Sequence, residues 1–248
     1  MTLNVETLLL LSLAIALVAF LYSSVGHAGA SGYIAVMTLF GLSPGVIKPA
    51  ALVLNILVAC LAAWQFWRAG HFEWPLFWPF ALLAVPCAFL GGYLNLPAHL
   101  FKVLVGVVLL FTAARFLIKP QADEEARLHT PAKPVALAVG AGIGLLSGLT
   151  GTGGGIFLSP VLIFMNWART KTAAATSALF ILFNSIAGLL GNIASTRQLP
   201  LFTLPLVVVA LAGGAAGAYL GSRQFSSVFI KKLLALVLLI AGSKLLFT

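Results

Sequence analysis

Apolar runs separated by short polar or glycine-rich stretches occupy almost the whole chain. Ten segments are legible, at residues 7–26, 30–41, 47–66, 75–95, 101–118, 134–150, 155–167, 172–192, 200–221 and 229–247. A helix needs about 20 apolar residues to cross the hydrocarbon core of a bilayer. Most segments approach that length, while the second and seventh are too short to cross unaided. The pattern predicts an all-α polytopic membrane protein. A long polar interval runs from Lys119 to Pro134 and carries Asp123, Glu124, Glu125 and Arg127, so it reads as a linker between two halves.

Two of the breaks are rich in glycine rather than in charge. Ser147-Gly148-Leu149-Thr150-Gly151-Thr152-Gly153-Gly154-Gly155 stands between apolar runs, with Pro160 close behind. Lipid cannot satisfy the N–H and C=O groups that such a break frees, so it is tolerated only where protein or water covers it. Glycines also let transmembrane helices approach closely. That role needs small residues on one helical face, and Gly153, Gly154 and Gly155 are contiguous. Helix ends and bare amides can hold an ion, and transporters place substrate at broken helices. The break is therefore a candidate site or its hinge. Ser24-Val25-Gly26-His27-Ala28-Gly29-Ala30-Ser31-Gly32 occupies the corresponding place in the first half.

Further correspondences support a duplication. Gly92-Tyr93-Leu94 matches Ala218-Tyr219-Leu220, Asn55 matches Asn184, and Lys102 matches Lys232, at an offset of about 125–130 residues. The chain is expected to form one membrane domain, with repeats at 1–118 and 134–248 joined by a cytoplasmic linker at 119–133. Charge then indicates how the repeats are related. If each glycine break is a hairpin, each half changes direction an odd number of times and the halves are inverted. Ten cations then collect on one side (Arg68, Arg115, Lys119, Arg127, Lys133, Arg169, Lys171, Arg223, Lys231, Lys232) and four on the other (Lys48, Lys102, Arg197, Lys244). If each break instead sits within one continuous crossing, the split is seven against seven. Positive residues concentrate on the cytoplasmic side, which favours inverted repeats, each with a glycine-broken helical hairpin plus three transmembrane helices.

Composition narrows the function. The 248 residues are 61% hydrophobic and 8% charged, with a mean hydropathy of +1.11, more apolar than a soluble core can absorb. The net charge of +9 comes from singly scattered basic residues, as in topology-setting loops, and does not suggest nucleic acid. Nothing resembles a phosphate-binding loop, and no cofactor is called for. Cys60 and Cys87 sit inside apolar runs without paired spacing and read as packing residues, with no disulfide or metal site. Glu6 precedes the first segment and the first cation is Lys48, so that segment reads as a retained helix.

The Ser147 to Gly155 motif with Pro160 is followed by Ala173-Ala174-Ala175-Thr176-Ser177. In the first half, Gly29-Ala30-Ser31-Gly32-Tyr33 is followed by Pro49-Ala50-Ala51-Leu52-Val53-Leu54-Asn55. In these stretches the chain resembles the TauE/SafE sulfite exporter family, also called toluene sulfonate uptake permeases. The first half departs from the usual glycine run of that family at His27-Ala28-Gly29-Ala30-Ser31. The resemblance covers nearly the whole chain and implies a membrane transporter of small organic or inorganic anions such as sulfite and sulfonates.

The chemistry of the residues agrees independently. The acids are Glu6, Glu73, Asp123, Glu124 and Glu125, none inside an apolar segment. A cation pathway ordinarily needs an intramembrane carboxylate, so an anion or neutral solute is expected. His27 is the one ionisable residue near either break. It could bind an anion when protonated or carry a coupled proton, or simply bond bare backbone. Ser31, Thr150, Thr152, Ser159 and Ser177 could donate to anion oxygens or bond helix carbonyls. Asn55 and Asn184 must face protein or a cavity, and interhelical bonding is the stronger reading for both. The candidate substrate-binding residues are His27, Gly29, Ser31, Gly32, Asn55, Thr150, Thr152, Gly153, Gly154, Gly155 and Asn184. Arg68, Arg169 and Lys171 read first as topology charges. Trp64, Trp67, Trp74, Trp78 and Trp167 read as an interfacial belt.

Taken together, the sequence points to a multi-pass secondary transporter in the cell inner (cytoplasmic) membrane. It would move a small anion such as sulfite, a sulfonate or a related oxyanion, with a passive anion channel as the alternative. No dyad or ligand cluster suggests an enzyme. Expected partners are the anionic substrate, membrane lipid, a coupled proton and a second copy in a homodimer, with no nucleic acid. Reporter fusions at Thr248 and within Asp123 to Glu125 should report opposite sides of the membrane. A cytoplasmic C-terminus overturns the inverted arrangement.

Overall fold

The computed structural model describes residues 5–42, 44–94, 128–197 and 204–226, with isolated positions between 97 and 114 and between 228 and 243. Eight helices lie within these residues, and none of the described residues forms a strand. They are α1 (Val5–Ser23), α2 (Ala30–Leu39), α3 (Pro44–Arg68), α4 (Trp74–Tyr93), α5 (Lys133–Thr150), α6 (Gly155–Phe164), α7 (Thr170–Thr196) and α8 (Leu204–Arg223). Six are long and apolar enough to cross a membrane, whereas α6 is a shorter apolar helix and α2 has 10 residues. The short segments expected at 30–41 and 155–167 are therefore short helices. The segments expected at 101–118 and 229–247, and the acidic part of the linker, lie outside the described residues apart from isolated positions.

Breaks and caps explain the boundaries. Proline stands in the first turns of α4 and α5, where its missing N–H removes no helical bond. α5 ends on Gly151 in the left-handed conformation, its N–H donating to the Ser147 carbonyl at 2.8 Å, an ordinary glycine helix terminus.

Glycine then sets the packing. A methyl at Gly140, Gly144 or Gly148 would overlap the carbonyls of Phe80, Ala84 or Ala88. The residue numbers rise together, so α5 runs parallel to α4 at close approach. Gly213, Gly217 and Gly221 stand in the same way over the carbonyls of Ala16, Phe20 and Ser24, so α8 runs parallel to α1. Each stripe repeats every fourth residue, which places its glycines on one helical face. α3 and α7 are the most buried spans and pack on each other. α1 and α8 lie to one side of this pair, and α4 and α5 to the other.

Polar contacts mark the two ends of the bundle. At one end His71 Nε2 and Lys171 Nζ both bond the Ser222 carbonyl, at 3.1 and 3.5 Å. Lys133 Nζ lies 5.6 Å above the Trp78 ring, and the Phe80 and Trp167 rings are 5.8 Å apart. Arg68, Lys133, Lys171 and Arg223 thus sit at element ends gathered there. At the other end Lys48 Nζ donates to the Gly92 carbonyl at 3.3 Å. α1 runs toward the first end with α8, and α5 runs away from it with α4. Trp64, Trp67, Trp74 and Trp78 are exposed near the first end, as an interfacial belt would be. Cys60, expected to pack inside, is exposed on the outer surface. Lipid is as apolar as a core, so hydropathy alone does not distinguish the two positions.

Gly148→Ala should lower thermal stability in detergent by about 1–3 kcal/mol, the usual cost of overpacking. Gly142 faces open space, so Gly142→Ala should leave the unfolding midpoint unchanged or slightly raised. Equal effects from the two changes would rule out the close helix approach as the reason for the stripe.

Candidate functional site

Each break is shaped by glycines at positive φ. After α1 the chain turns through Gly26 (φ 77°) and Gly29 (φ 105°) before α2 begins. After α5 it passes Gly151 (φ 75°), Gly153 (φ 77°) and Gly154 (φ 81°) before α6. Residues with a Cβ rarely adopt these angles. Space is short as well: a Cβ on Gly154 would stand 2.9 Å from the Phe180 ring, and one on Gly153 would overlap the Asn55 amide.

One side chain joins the two breaks. Asn55 is fully buried near the middle of α3. Its Oδ1 accepts from the N–H of Ala30, the first residue of α2, at 3.0 Å. Its Nδ2 donates to the Thr152 carbonyl in the second break at 3.3 Å and to the Ser185 hydroxyl of α7 at 3.1 Å. Both amide hydrogens and the amide oxygen are in use. The breaks therefore meet at mid-span depth, between the two central helices.

Hydroxyls and an imidazole extend this polar zone. The hydroxyl oxygens of Thr150 and Thr152 are 2.8 Å apart. Ser31 donates to the Tyr22 hydroxyl at 3.0 Å, and Tyr33 donates to the Ala28 carbonyl at 2.6 Å. His27 Nε2 lies 2.9 Å from Ser159 Oγ on α6, and the Ser159 hydroxyl donates to Ser177 on α7 at 2.7 Å. His27 Nδ1, Ser147 Oγ, Thr176 Oγ1 and Asn184 Oδ1 are buried without a hydrogen-bond partner. Buried polar atoms are nearly always paired. Lys48 is half-buried, and a Cβ on Gly151 would lie 3.1 Å from its side chain. Among the described residues no group of three or more His, Cys, Asp or Glu could hold a metal ion.

Over residues 11–245 the chain matches the family model described as Sulfite exporter TauE/SafE. The chain belongs to the TauE/SafE family. It is 41% identical to the probable membrane transporter protein y4hK of Sinorhizobium fredii over 239 residues, covering 95% of this chain and 97% of that protein. It is 25% identical to the probable membrane transporter protein YunE of Bacillus subtilis over 181 residues, 65% and 66% of the two chains. The probable membrane transporter protein YdhB of Bacillus subtilis is 26% identical over 251 residues, 96% of this chain and all of that protein. No solved structure matches. Family and relatives make this a multi-pass membrane transporter. The relatives bear transporter names, which suggests a non-enzyme and lends no support to the passive channel.

Within this family member the predicted residues sort into three groups. Asn55, Thr150, Thr152, Gly153, Gly154 and Gly155 surround the junction of the breaks. His27 and Gly29 lie in the first break and Ser31 and Gly32 in the first turn of α2, with a Cβ on Gly29 standing 2.9 Å from the Tyr33 ring and Gly32 packed against Val18 and Tyr22. Asn184 stands apart from Asn55: it donates to the Phe180 carbonyl of its own helix at 3.0 Å. Its neighbour Ser185 makes the contact expected of the matched asparagines. Sequence reasoning missed Ser185 and Tyr22, which had no signal beyond being polar in an apolar run, and Thr176, although it lies in the Ala173 to Ser177 stretch that carries the family resemblance. It also read Lys48 as a loop charge, although Lys48 stands inside the third apolar segment.

Asn55→Ala should orphan the Ala30 N–H and the Thr152 carbonyl, at about 1–3 kcal/mol each. Asn184→Ala should cost less, because Asn184 bonds only a helix carbonyl that is already in use. Thermal unfolding of both variants in one detergent checks the order, and a larger loss at Asn184 would contradict the assigned link.

Proposed function

We propose that this transporter moves a small anion (sulfite, a sulfonate or a related oxyanion) across the cytoplasmic membrane by a secondary mechanism, with its site where the two glycine breaks meet. The Asn55 link carries the reading, because it brings both breaks to one point at mid-span. Two further facts support an anion. The first turns of α2 and α6 begin there, and helix N-terminal amides attract negative charge. The spans described contain no carboxylate beyond Glu6 in the first turn of α1, while Lys48 lies beside Gly151 at one mouth. Sulfite comes from the family description; this chain's own substrate is part of the proposal.

The halves are read as inverted repeats about this junction. The opposed directions of α1 and α5 support it, as does the gathering of cations at one end. That end faces the cytoplasm by the positive-inside rule. Rocking of one repeat against the other would expose the junction to each side in turn.

Gly154→Leu should abolish uptake or export of labelled sulfite in proteoliposomes, because a branched side chain at φ 81° is strained and collides with Phe180. Insertion and yield should stay near wild type. Thermal shift against sulfite, sulfate, thiosulfate, sulfonates and carboxylates identifies the ligand by stabilisation of the folded state. Normal flux in Gly154→Leu would remove the site from the breaks.

A further inference from the structure

We infer that the protein binds its anion together with a proton, held between His27 Nδ1 and an oxygen of the anion. The inference rests on the proposed anion site and adds where the proton sits and how many accompany each anion. It begins with a hydroxyl. The Ser159 hydroxyl donates to Ser177 at 2.7 Å, and a hydroxyl has a single hydrogen to give. Toward His27 it can offer only a lone pair. His27 Nε2, at 2.9 Å, is therefore the donor of that bond. A neutral imidazole with its hydrogen on Nε2 presents a bare acceptor at Nδ1. That atom is buried and unpartnered, on a side chain 2% exposed.

A bare acceptor repels a deprotonated oxyanion. A proton between them turns the contact into a hydrogen bond. It can arrive on the anion, as an O–H that donates to Nδ1. It can equally be taken from water onto Nδ1 first, leaving a cationic ring that donates to the anion. Both routes give the same complex of ring, proton and anion. On release the proton leaves with the anion, and the ring returns to its Nε2–H form. The species favoured is thus a hydrogen oxyanion, or a fully ionised anion plus one proton from solution.

Few other groups near His27 could supply that proton. α1 contributes Tyr22, whose ring centroid is 6.5 Å from that of His27. α2 contributes Tyr33, whose hydroxyl is bonded to the Ala28 carbonyl. Free phenols ionise at about pH 10. α6 has no ionisable residue, and α7 has only Lys171 in its first turn, where its ammonium bonds the Ser222 carbonyl.

Calorimetric titration of the purified protein tests this. Methanesulfonate and sulfate, both fully ionised near neutral pH, are titrated in two buffers of unlike protonation enthalpy. The difference in heat counts the protons taken up. Wild type should take up about one proton per anion near pH 7. In Ser177→Ala the Ser159 hydrogen is free to donate to Nε2, so the neutral ring moves its proton to Nδ1 and becomes a donor. Binding should persist while proton uptake falls close to zero. His27→Gln should show no proton uptake. Wild-type binding without proton uptake overturns the inference and leaves the anion site standing, whatever the stability of the variants. Uptake unchanged in Ser177→Ala overturns it as well. Absence of saturable heat with either anion in wild type would overturn the anion site itself.

Discussion

A broken helix in a membrane must find partners for its backbone from within the protein, and in this chain Asn55 supplies them. Its carboxamide accepts from Ala30 at the start of α2 and donates to Thr152 in the opposite break. Its remaining hydrogen reaches Ser185 on the other central helix. Three elements that are remote in sequence are thereby fixed at one depth. Lipid offers no substitute for these bonds, so this one buried amide ties α2, the second break and α7 to α3.

Glycine makes the rest of the arrangement feasible in two distinct ways. At Gly26, Gly29, Gly151, Gly153 and Gly154 it permits backbone angles that turn the chain between helices. Along Gly140, Gly144 and Gly148, and again along Gly213, Gly217 and Gly221, it permits contact of one helix with the carbonyls of the next. The first use shapes the two breaks, and the second packs the helices around them. Between lipid-like surfaces there is no hydrophobic drive for association, so close packing of this kind carries much of the cohesion.

Electrostatics gives the junction its expected sign. Cations lie at the ends of the bundle, and the interior of the described spans has hydroxyls, amides and one imidazole. The N-termini of α2 and α6 carry partial positive charge, which suits the anion proposed for this junction. The His27–Ser159–Ser177 contacts link the first break to helices α6 and α7.

The sequence by itself determined the membrane class, the eight apolar segments that the structure describes as helices, and the two glycine breaks. These follow from local properties: the length of an apolar run, the conformational freedom of glycine, and the placement of charge relative to lipid. It also indicated the family through a motif of contiguous residues. Only the tertiary structure decided which polar residues meet. Asn55 and Asn184 are equivalent by position, yet Asn55 bridges both breaks and Asn184 bonds its own helix. Periodicity places a residue on its helix but does not say which neighbour fills the facing space, so Ser185 stayed hidden beside Asn184. In the same way Cys60 on the outer surface and Leu158 in the core belong to equally apolar stretches. Lipid and protein interior reward the same side chains, and only packing distinguishes them.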